Sequence, residues 1–309
     1  MYASFLAFAF CTPFLGAAPA RPQLIISPEE LAAFSGGAEL FSYRYAGTPY
    51  KPYIKKLCSP GGLQVLRDAP PGHRHHHGLM YAITVNGVNF WEEQRAPGAQ
   101  KHIAFRSVSV AQKPYSVFFS EELRWLNPRT KELLLLEKRS VGVTRAGPPQ
   151  ATLLTWTSAF TVPPALKEVT LTGSHYHGLG MRFLAAMDQN GTFMNETGDL
   201  GPVYRGTERL GKAAWCTYTA RGPAKTVTVG MFGDPDNARG KPLFFTMTRP
   251  FAYLSATLGL HKDPLVLKAG KSLTLTYGVV VWDGEVNRKT VESLYKQWLR
   301  WISENTGKE

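Results

Sequence analysis

The sequence predicts an all-β protein, a large two-sheet antiparallel β-sandwich that ends in one helix. Short segments rich in β-branched and aromatic residues recur between Gly, Pro and Asn turns along most of the chain. Residues 271–281 (KSLTLTYGVVV) alternate polar and apolar side chains, as a half-buried antiparallel strand does. Near the C-terminus an apolar stripe at helical spacing comprises Val291, Leu294, Tyr295, Trp298, Leu299 and Ile302.

Three local patterns refine this prediction. Residues 28–34 (PEELAAF), with Ser27 as the N-cap, predict a short early helix. The apolar runs 79–83 and 88–91 flank Asn86-Gly87, which predicts a β-hairpin with a type I′ turn. Residues 179–187 followed by Asn190-Gly191 predict a second hairpin of the same kind. No low-complexity linker divides residues 21–309, so we expect a single domain there.

The first 20 residues have the features of a secretory signal peptide. They carry no charge, are mostly apolar and end in the small residues Ala17-Ala18-Pro19-Ala20. A buried N-terminal segment is the alternative interpretation. No later stretch approaches the roughly 20 apolar residues of a membrane helix, so we expect no integral membrane span. A periplasmic or secreted location is therefore expected.

Charge and cysteine content limit the partners less sharply. The 35 Lys and Arg against 23 Asp and Glu give a formal charge of +12, which suits acidic polysaccharides, membrane surfaces or solubility alone. The basic residues are scattered and no nucleic-acid motif is present, so no nucleic-acid partner is expected. Cys58 and Cys216 remain after cleavage, either paired or as two buried thiols. The oligomeric state stays open.

Half of the eight histidines lie within residues 73–77, in the loop that enters the first predicted hairpin. In an extended loop His73, His75 and His77 would point the same way. The step His177-Gly178-Leu179 repeats His77-Gly78-Leu79 one hundred residues later, and His175 lies just before it. We therefore expect both loops to reach one pocket at the same end of the sandwich.

Three chemical interpretations of these histidines remain open. Three imidazoles on one side of a loop are able to ligate a metal. The cupin pattern fails, however, because no Glu follows within a few residues of the cluster. Neutral imidazoles are also suited to acid/base catalysis, with Arg182 holding the oxygen on which charge develops. In the third interpretation the histidines only bond the loops together.

The predicted site combines these residues with aromatic side chains, whose flat apolar faces suit sugar rings. Glu92 follows the first hairpin, and its carboxylate is expected at the pocket rim as acid or base. The predicted catalytic residues are His75, His76, His177, Arg182 and Glu92. The predicted substrate-binding residues are His73, His175, Tyr176 and Trp91. No metal and no other cofactor is predicted, because no carboxylate or cysteine stands at ligand spacing beside the histidines.

A family resemblance rests on seven segments that occur in order between residues 50 and 298. They are KPYIKKL, GHRHHHGL, VNGVNFWEE, YHGLGMRF, AAWCTY, VTVGMFGDPDN and LKAGKSLTLTYGVVVWDG. The chain resembles the PmoA-like family of bacterial exported proteins of unknown function, often labelled methane oxygenases. A genuine methane monooxygenase subunit spans the membrane several times, so that activity is not expected here.

Within this resemblance, the family's loop usually reads Asp-His-Pro-His-His-Arg-Gly-Leu. His73, His75 and His76 match its histidines, whereas Gly72, Arg74 and His77 stand in place of its Asp, Pro and Arg. The closing segment is similar to the last sheet strand of aldose epimerases, which implies a galactose-mutarotase-like supersandwich. Those enzymes place two histidines and a carboxylate around a sugar ring.

Together these observations predict an exported carbohydrate-active protein. The expected chemistry is histidine-based acid/base catalysis on a sugar or glycan: epimerisation, elimination or hydrolysis. The alternative is a non-catalytic glycan-binding or scaffold protein on the same fold.

Overall fold

The computed structural model describes residues 22–111 and 116–305, so the predicted signal peptide lies outside the described residues. The strands of the described part are β1 (Gln23–Ile26), β2 (Glu30–Ser35), β3 (Ala38–Arg44), β4 (Tyr53–Leu57), β5 (Leu79–Ala82), β6 (Thr84–Val85), β7 (Val88–Asn89), β8 (Ala99–Val110), β9 (Val117–Leu126), β10 (Leu133–Ala146), β11 (Ala151–Thr161), β12 (Glu168–Thr172), β13 (Gly178–Arg182), β14 (Thr192–Asn195), β15 (Val203–Arg205), β16 (Glu208–Lys212), β17 (Trp215–Arg221), β18 (Thr226–Gly233), β19 (Leu243–Met247), β20 (Tyr253–Thr257), β21 (Leu265–Lys268) and β22 (Ser272–Asp283). A 3₁₀ turn covers Ala185–Met187, and helix α1 covers Arg288–Asn305.

The strands form three antiparallel sheets. The first has ten strands in the order β1-β2-β3-β4-β5-β13-β20-β19-β16-β15, and the second has eight in the order β14-β17-β18-β22-β11-β10-β9-β8. A smaller sheet has the order β21-β12-β6-β7. The all-β antiparallel class is therefore confirmed. The predicted two sheets are corrected to two large sheets and a small third one, because β6 turns away from the ten-stranded sheet to pair with β12.

The core lies between the two large sheets and is rich in aromatic rings. Tyr81 on β5 contacts Trp125 on β9 and Phe160 on β11, with ring centroids 6.3 and 5.4 Å apart. Tyr43 on β3 lies 4.8 Å from the ring of Phe119 on β9. These rings belong to the inner faces of both sheets and are fully buried.

Strand β22 and helix α1 confirm the two clearest sequence patterns. Along the first half of β22, Leu273 and Leu275 are buried while Ser272 and Thr274 are exposed. Farther along, both faces of β22 are buried because α1 covers the outer one, where Trp282 shares an apolar cluster with the helix. The helical stripe predicted near the C-terminus is the face that makes this contact.

The predicted early helix at residues 28–34 is wrong. The hydroxyl of Ser27 does bond the backbone N–H of Glu30, but it closes a turn into β2 rather than capping a helix. Leu31 and Ala33 then alternate with more exposed neighbours, the period of a strand, and β2 pairs on both sides with β1 and β3. Sheet pairing here overrides the helix propensity of the Glu and Ala residues.

The first predicted hairpin is confirmed in part, and the second is wrong. Asn86 and Gly87 have φ of 46° and 78°, as a type I′ turn requires, but the turn joins only the short strands β6 and β7. After β13 the chain forms the 3₁₀ turn and crosses to the other large sheet, where β14 pairs with β17. Strand β13 pairs instead with β5 and β20.

The two cysteines are both free and buried, which settles the alternative left open by the sequence. Burial raises the pKa of the Cys58 thiol to about 11, and it also raises that of Cys216. Neither thiol is therefore activated as a nucleophile. No helix among residues 22–111 and 116–305 is long and apolar enough to cross a membrane.

Candidate functional site

One face of the ten-stranded sheet, opposite the sandwich core, carries a cavity of about 310 Å³. We call it the first cavity. Its lining residues come from the histidine loop, the segment after β7, the loop before β13, and strands β15, β16, β19 and β20 with their loops. They are His73, His75, His76, Trp91, Glu92, Tyr176, Arg205, Glu208, Phe245, Met247, Pro250, Phe251 and Tyr253.

Strand register explains why these strands share the cavity. Met247 on β19 lies opposite Tyr253 on β20, which in turn lies opposite Arg182 on β13. Directly paired residues of antiparallel strands project on the same side of a sheet. Gly180, two residues before Arg182, places no side chain on this face of the sheet. A Cβ there would lie 2.3 Å from the Tyr253 hydroxyl and 3.0 Å from Cη2 of Trp91, so only glycine lets both rings cover the sheet.

The histidine loop is folded into turns rather than extended. The N–H of His73 bonds the carbonyl of Pro70, and the N–H of His76 bonds the carbonyl of His73. As a result the rings of His75 and His76 are neighbours, with centroids 4.4 Å apart, and that of His73 lies 5.0 Å from His76. The expectation that His73, His75 and His77 point the same way is wrong, because it assumed an extended backbone.

His77 points away from the cavity and bridges two carboxylates. Its Nδ1 lies 2.7 Å from Oδ1 of Asp68, and its Nε2 lies 2.9 Å from Oε1 of Glu93. Burial lowers the pKa of His77, but the two carboxylate hydrogen bonds outweigh it, so that the pKa lies above its ordinary value of 6.5. Below this raised pKa both nitrogens donate, one to each carboxylate, and the ring is an imidazolium. His77 is therefore a link between loops.

Lys51 extends this link to the chain around Glu92. Its buried ammonium donates to Oε1 of Glu93 at 2.7 Å and to the backbone carbonyl of Trp91 at 3.0 Å. The residues on both sides of Glu92 are thereby fixed. We call this chain of contacts, Asp68, His77, Glu93 and Lys51, the loop-linking network.

Glu92 lies beside His75 in the lining of the first cavity. Its Oε2 lies 3.6 Å from Nδ1 of His75. Burial raises the pKa of the Glu92 carboxyl above 4.5 and lowers that of His75 to about 4, with further repulsion from Lys51 and His73. Burial thus favours the neutral form of both groups, a carboxylic acid facing an imidazole free to accept a proton.

His76 lies deeper, against the aromatic wall. Burial and the neighbouring His75 lower its pKa to about 2, so it is neutral. Its ring lies 5.2 Å from Tyr253 and 6.4 Å from Trp91. Its Nδ1 is buried without a hydrogen-bond partner in the described part of the chain. The structure therefore places His76 as a wall of the cavity beside the His75–Glu92 pair.

A second cavity, of about 450 Å³, adjoins the first. His175 and His177 line it, whereas His73, His75 and His76 line the first. Its full lining is Thr84, Asn89, Glu92, Thr172, Gly173, Ser174, His175, Tyr176, His177, Tyr204 and His261. Glu92 and Tyr176 belong to both linings, so the two cavities meet at these side chains.

Trp91 separates the two groups of histidines. His177 stacks on its ring at 5.0 Å with an interplanar angle of 10°, and His76 approaches it edge-on. The two loops do not enter from the same end of the sheet, because β5 and β13 are antiparallel neighbours, but Tyr176 of the second loop lines the first cavity together with His75 and His76. Leu79, at the start of β5, pairs with Met181 near the end of β13, so the two His-Gly-Leu steps lie at opposite ends of the strand pair.

The repeated Gly serves a close approach at each step. A Cβ on Gly78 would lie 2.2 Å from the carbonyl oxygen of Ile54, and one on Gly178 would lie 2.1 Å from that of Ala256. Each glycine therefore lets a neighbouring strand pass close to its backbone.

Arg182 does not line either cavity. Its guanidinium makes a bidentate pair with Asp188 at 2.9 and 3.1 Å and also donates to the carbonyl of Ala252. The ring of Phe251 lies between it and the first cavity, 3.9 Å from the guanidinium carbon. Arg182 thus supports the cavity wall, and the expected oxygen clamp is not what its contacts show.

Several residues that line the first cavity were not predicted from the sequence. Glu208, Phe245, Phe251 and Tyr253 lie on β16, β19, β20 or the loop before β20, far along the chain from either histidine loop. Only the strand register brings them to the cavity, and no local motif carries that register. Lys51 was also not predicted, because it lies in the irregular segment before β4 and its burial and its partners are tertiary features.

Residues 22–111 and 116–305 contain no group of three or more His, Cys, Asp or Glu side chains arranged to hold a metal ion. Lowered pKa values keep His75 and His76 neutral, the form in which an imidazole binds metal. Metal content therefore stays a prediction.

The fold and site define an antiparallel β-sandwich protein in which a carboxyl group and an imidazole lie close together in an aromatic cavity. The chain belongs to a family of unknown function (DUF6807), whose model matches residues 31–296. The expectation of a family without assigned function is thus met. No curated protein sequence matches the chain.

Solved structures resemble the chain over most of its length at low identity. The GH36 α-galactosidase AgaB from Geobacillus stearothermophilus is 10% identical with a TM-score of 0.47, over 85% of this chain and 41% of that one. The α-galactosidase from Lactobacillus brevis is 6% identical with a TM-score of 0.44, over 85% and 39%. A galactose mutarotase-like protein from Lactobacillus casei ATCC 334 is 11% identical with a TM-score of 0.42, over 84% and 99%. This chain therefore spans about two fifths of the galactosidases it matches.

The loop-linking network predicts a pH-dependent contribution to stability from His77. Because its folded pKa is raised, its contribution is complete below the unfolded value of about 6.5 and is lost as the pH rises through the folded pKa. The His77→Gln variant should therefore lose more free energy of unfolding at about pH 5.5 than at about pH 8.5, measured by urea denaturation.

His261→Gln is the matched control for that experiment. Burial lowers the pKa of His261, so the difference between wild type and this variant should change with pH in the opposite direction. An effect of His77→Gln that is equal at both pH values would contradict the imidazolium bridge.

Proposed function

We propose that this protein is an exported carbohydrate-active enzyme that binds a sugar in the first cavity and moves protons with His75 and Glu92. His75 acts as the base and Glu92 as the acid. The observation that carries the proposal is the approach of the Glu92 carboxyl to Nδ1 of His75 at 3.6 Å inside an aromatic cavity. The PmoA-like relationship and export remain predictions from the sequence.

The cavity walls support a sugar as the ligand. Trp91, Tyr176, Phe245, Phe251 and Tyr253 offer ring faces and edges to the apolar side of a pyranose. The polar groups that border the same space converge on the His75–Glu92 pair at one side and on Glu208 at the other. A cavity of about 310 Å³ lies at the lower end of the range of ligand pockets, roughly 300–1,000 Å³, as suits one small ring.

Proton transfer is the reaction that this pair supports best. Neutral His75 takes a proton from a sugar carbon next to a carbonyl or carboxyl group, and the electron pair moves onto that group. Epimerisation also needs a proton donor on the opposite face of that carbon, whereas Glu92 and His75 lie only 3.6 Å apart and reach the substrate from one side, so this pair favours it less. In elimination, Glu92 protonates the oxygen that leaves as the double bond forms. Elimination therefore uses this pair as one base and one acid on the same side of the sugar.

Hydrolysis is favoured less by the contacts of the other carboxylate in the cavity. Glycoside hydrolysis usually uses two carboxyl groups, one of them as nucleophile or as base for water. Glu208 borders the cavity, but its two oxygens are bonded to Arg205 at 2.7 Å and to His175 at 3.1 Å. Both oxygens of Glu208 are therefore engaged by these partners, which disfavours a role as nucleophile or as base for water.

A non-catalytic glycan-binding protein is the second candidate. The aromatic lining favours it as much as it favours an enzyme, because ring faces bind sugars without reacting. The two candidates differ in turnover and in their dependence on Glu92.

The first test is proton exchange at sugar carbons. Incubation in D₂O with aldoses, ketosugars and uronates, followed by NMR, should show deuterium incorporation or an unsaturated product with wild type. Glu92→Gln and His75→Ala should each lower the rate by about a hundredfold or more, because each removes one partner of the proton transfer.

Glu132→Gln is the control, since Glu132 is an exposed carboxylate in the turn before β10, and it should keep full activity. Full activity of Glu92→Gln would contradict the assignment. Protection of wild type against thermal unfolding by a sugar, with no turnover of any compound, would favour the binding protein.

The pKa directions predict an acidic pH optimum. In the free enzyme His75 must be neutral, which holds above its pKa of about 4, and Glu92 must be protonated, which is lost above its raised pKa. The value of kcat/KM should therefore peak on the acidic side of neutrality and fall as the pH rises. A kcat/KM that increases steadily from acidic pH to neutrality would show that the two roles are reversed or absent.

We also propose that this chemistry needs no metal. Elemental analysis of the dialysed protein should show far less than one zinc, copper or iron per chain. One tightly bound metal per chain, with loss of that metal in His75→Ala and His76→Ala, would reverse the proposal.

A further inference from the structure

The second cavity has the position of a neighbouring subsite. It shares Glu92 and Tyr176 with the first cavity, so a ligand that fills both must pass the Glu92 carboxyl. A hydrogen bond also connects a residue that borders the first cavity with one that borders the second. Glu208 borders the first cavity, and its Oε2 bonds Nε2 of His175, which borders the second.

An aromatic platform lies in the second cavity. The ring of Tyr204 stacks on that of His175, with centroids 4.0 Å apart and planes inclined by 24°. His175 is buried and held by Glu208, whereas Tyr204 is 49% exposed. An exposed tyrosine fixed from behind by a buried ring offers a flat surface to a second sugar ring.

The remaining lining consists of small neutral hydrogen-bonding groups. It includes Thr84, Asn89, Thr172, Ser174, His177 and His261. Burial lowers the pKa of His177 to about 3 and also lowers that of His261, so both rings are neutral. Hydroxyl, amide and neutral imidazole groups donate and accept, which matches a ligand rich in uncharged hydroxyls better than a phosphate or a carboxylate.

We propose that the second cavity binds the sugar unit next to the reacting one, so that the substrate is a glycan of at least two linked units with their linkage beside Glu92. The proposal rests on the proposed function for the identity of the reacting site. It adds the class of substrate, a glycan whose unit in the second cavity is a neutral sugar and whose reacting unit in the first cavity carries the carbonyl or carboxyl group, and it assigns Tyr204 and His175 to recognition of the neutral unit.

The experiment measures binding by calorimetry in the Glu92→Gln protein, so that turnover does not interfere. The probes are glucose, galactose, glucuronic acid and galacturonic acid, together with α- and β-linked di- and trisaccharides that contain them. Disaccharides should bind more tightly than the corresponding monosaccharides. Tyr204→Ala, in the same Glu92→Gln background, should weaken disaccharide binding by about tenfold and leave monosaccharide binding unchanged, because it removes only the platform.

Two further variants separate this role from a structural one. Tyr204→Phe keeps the ring and should keep the disaccharide affinity. Val203→Ala changes an exposed neighbour on the same strand, which lines neither cavity, and should have no effect. The melting temperature of each variant is recorded to confirm folding.

The outcomes distinguish this inference from the proposed function. A length dependence that Tyr204→Ala removes supports the subsite even if wild type shows no turnover, in which case only the catalytic proposal fails. Proton exchange on monosaccharides with no gain in affinity for longer sugars would overturn the subsite and leave the catalytic proposal intact. Equal weakening of mono- and disaccharide binding by Tyr204→Ala, or binding of none of these sugars, would also overturn it.

Discussion

The site depends on a short chain of half-buried and buried charges behind it. Asp68, His77, Glu93 and Lys51 alternate in sign and bond in succession, and they come from three separate segments of the chain. A buried charge is costly unless its partners satisfy it, so each member requires the next one. Because Lys51 also bonds the carbonyl of Trp91, this network fixes the segment that presents Glu92.

The arrangement of the site follows from the position of residues 91–93, the segment that this network holds. Trp91 lies over the bare strand position of Gly180 and has one group of histidines on each side. Glu92 then borders both cavities at once. The same burial raises the pKa of the Glu92 carboxyl and lowers that of the His75 imidazole, an opposite shift of two pKa values that is typical of paired acid and base groups.

The sequence predicted the elements better than their arrangement. The alternation in β22 and the stripe of α1 are periodic, so the fold class and the helix could be predicted from local pattern alone. Glu92 and the histidine loop were found because they are adjacent in sequence to a clear turn signal. The pairing of β5 with β13, the turns within the histidine loop and the partners of Arg182 are long-range or tertiary features, which no local pattern encodes. His77 shows the consequence, since a residue chosen with its neighbours proved to bind two distant carboxylates.

The most direct test of the account is a crystal structure of Glu92→Gln soaked with the tightest-binding disaccharide. The account predicts one sugar ring against Trp91 and Tyr253 in the first cavity and the other on Tyr204 in the second. The linkage should lie within hydrogen-bond distance of the residue 92 side chain, roughly 2.6–3.2 Å. A disaccharide bound elsewhere on the sandwich, or one with both rings distant from residue 92 and His75, would contradict it.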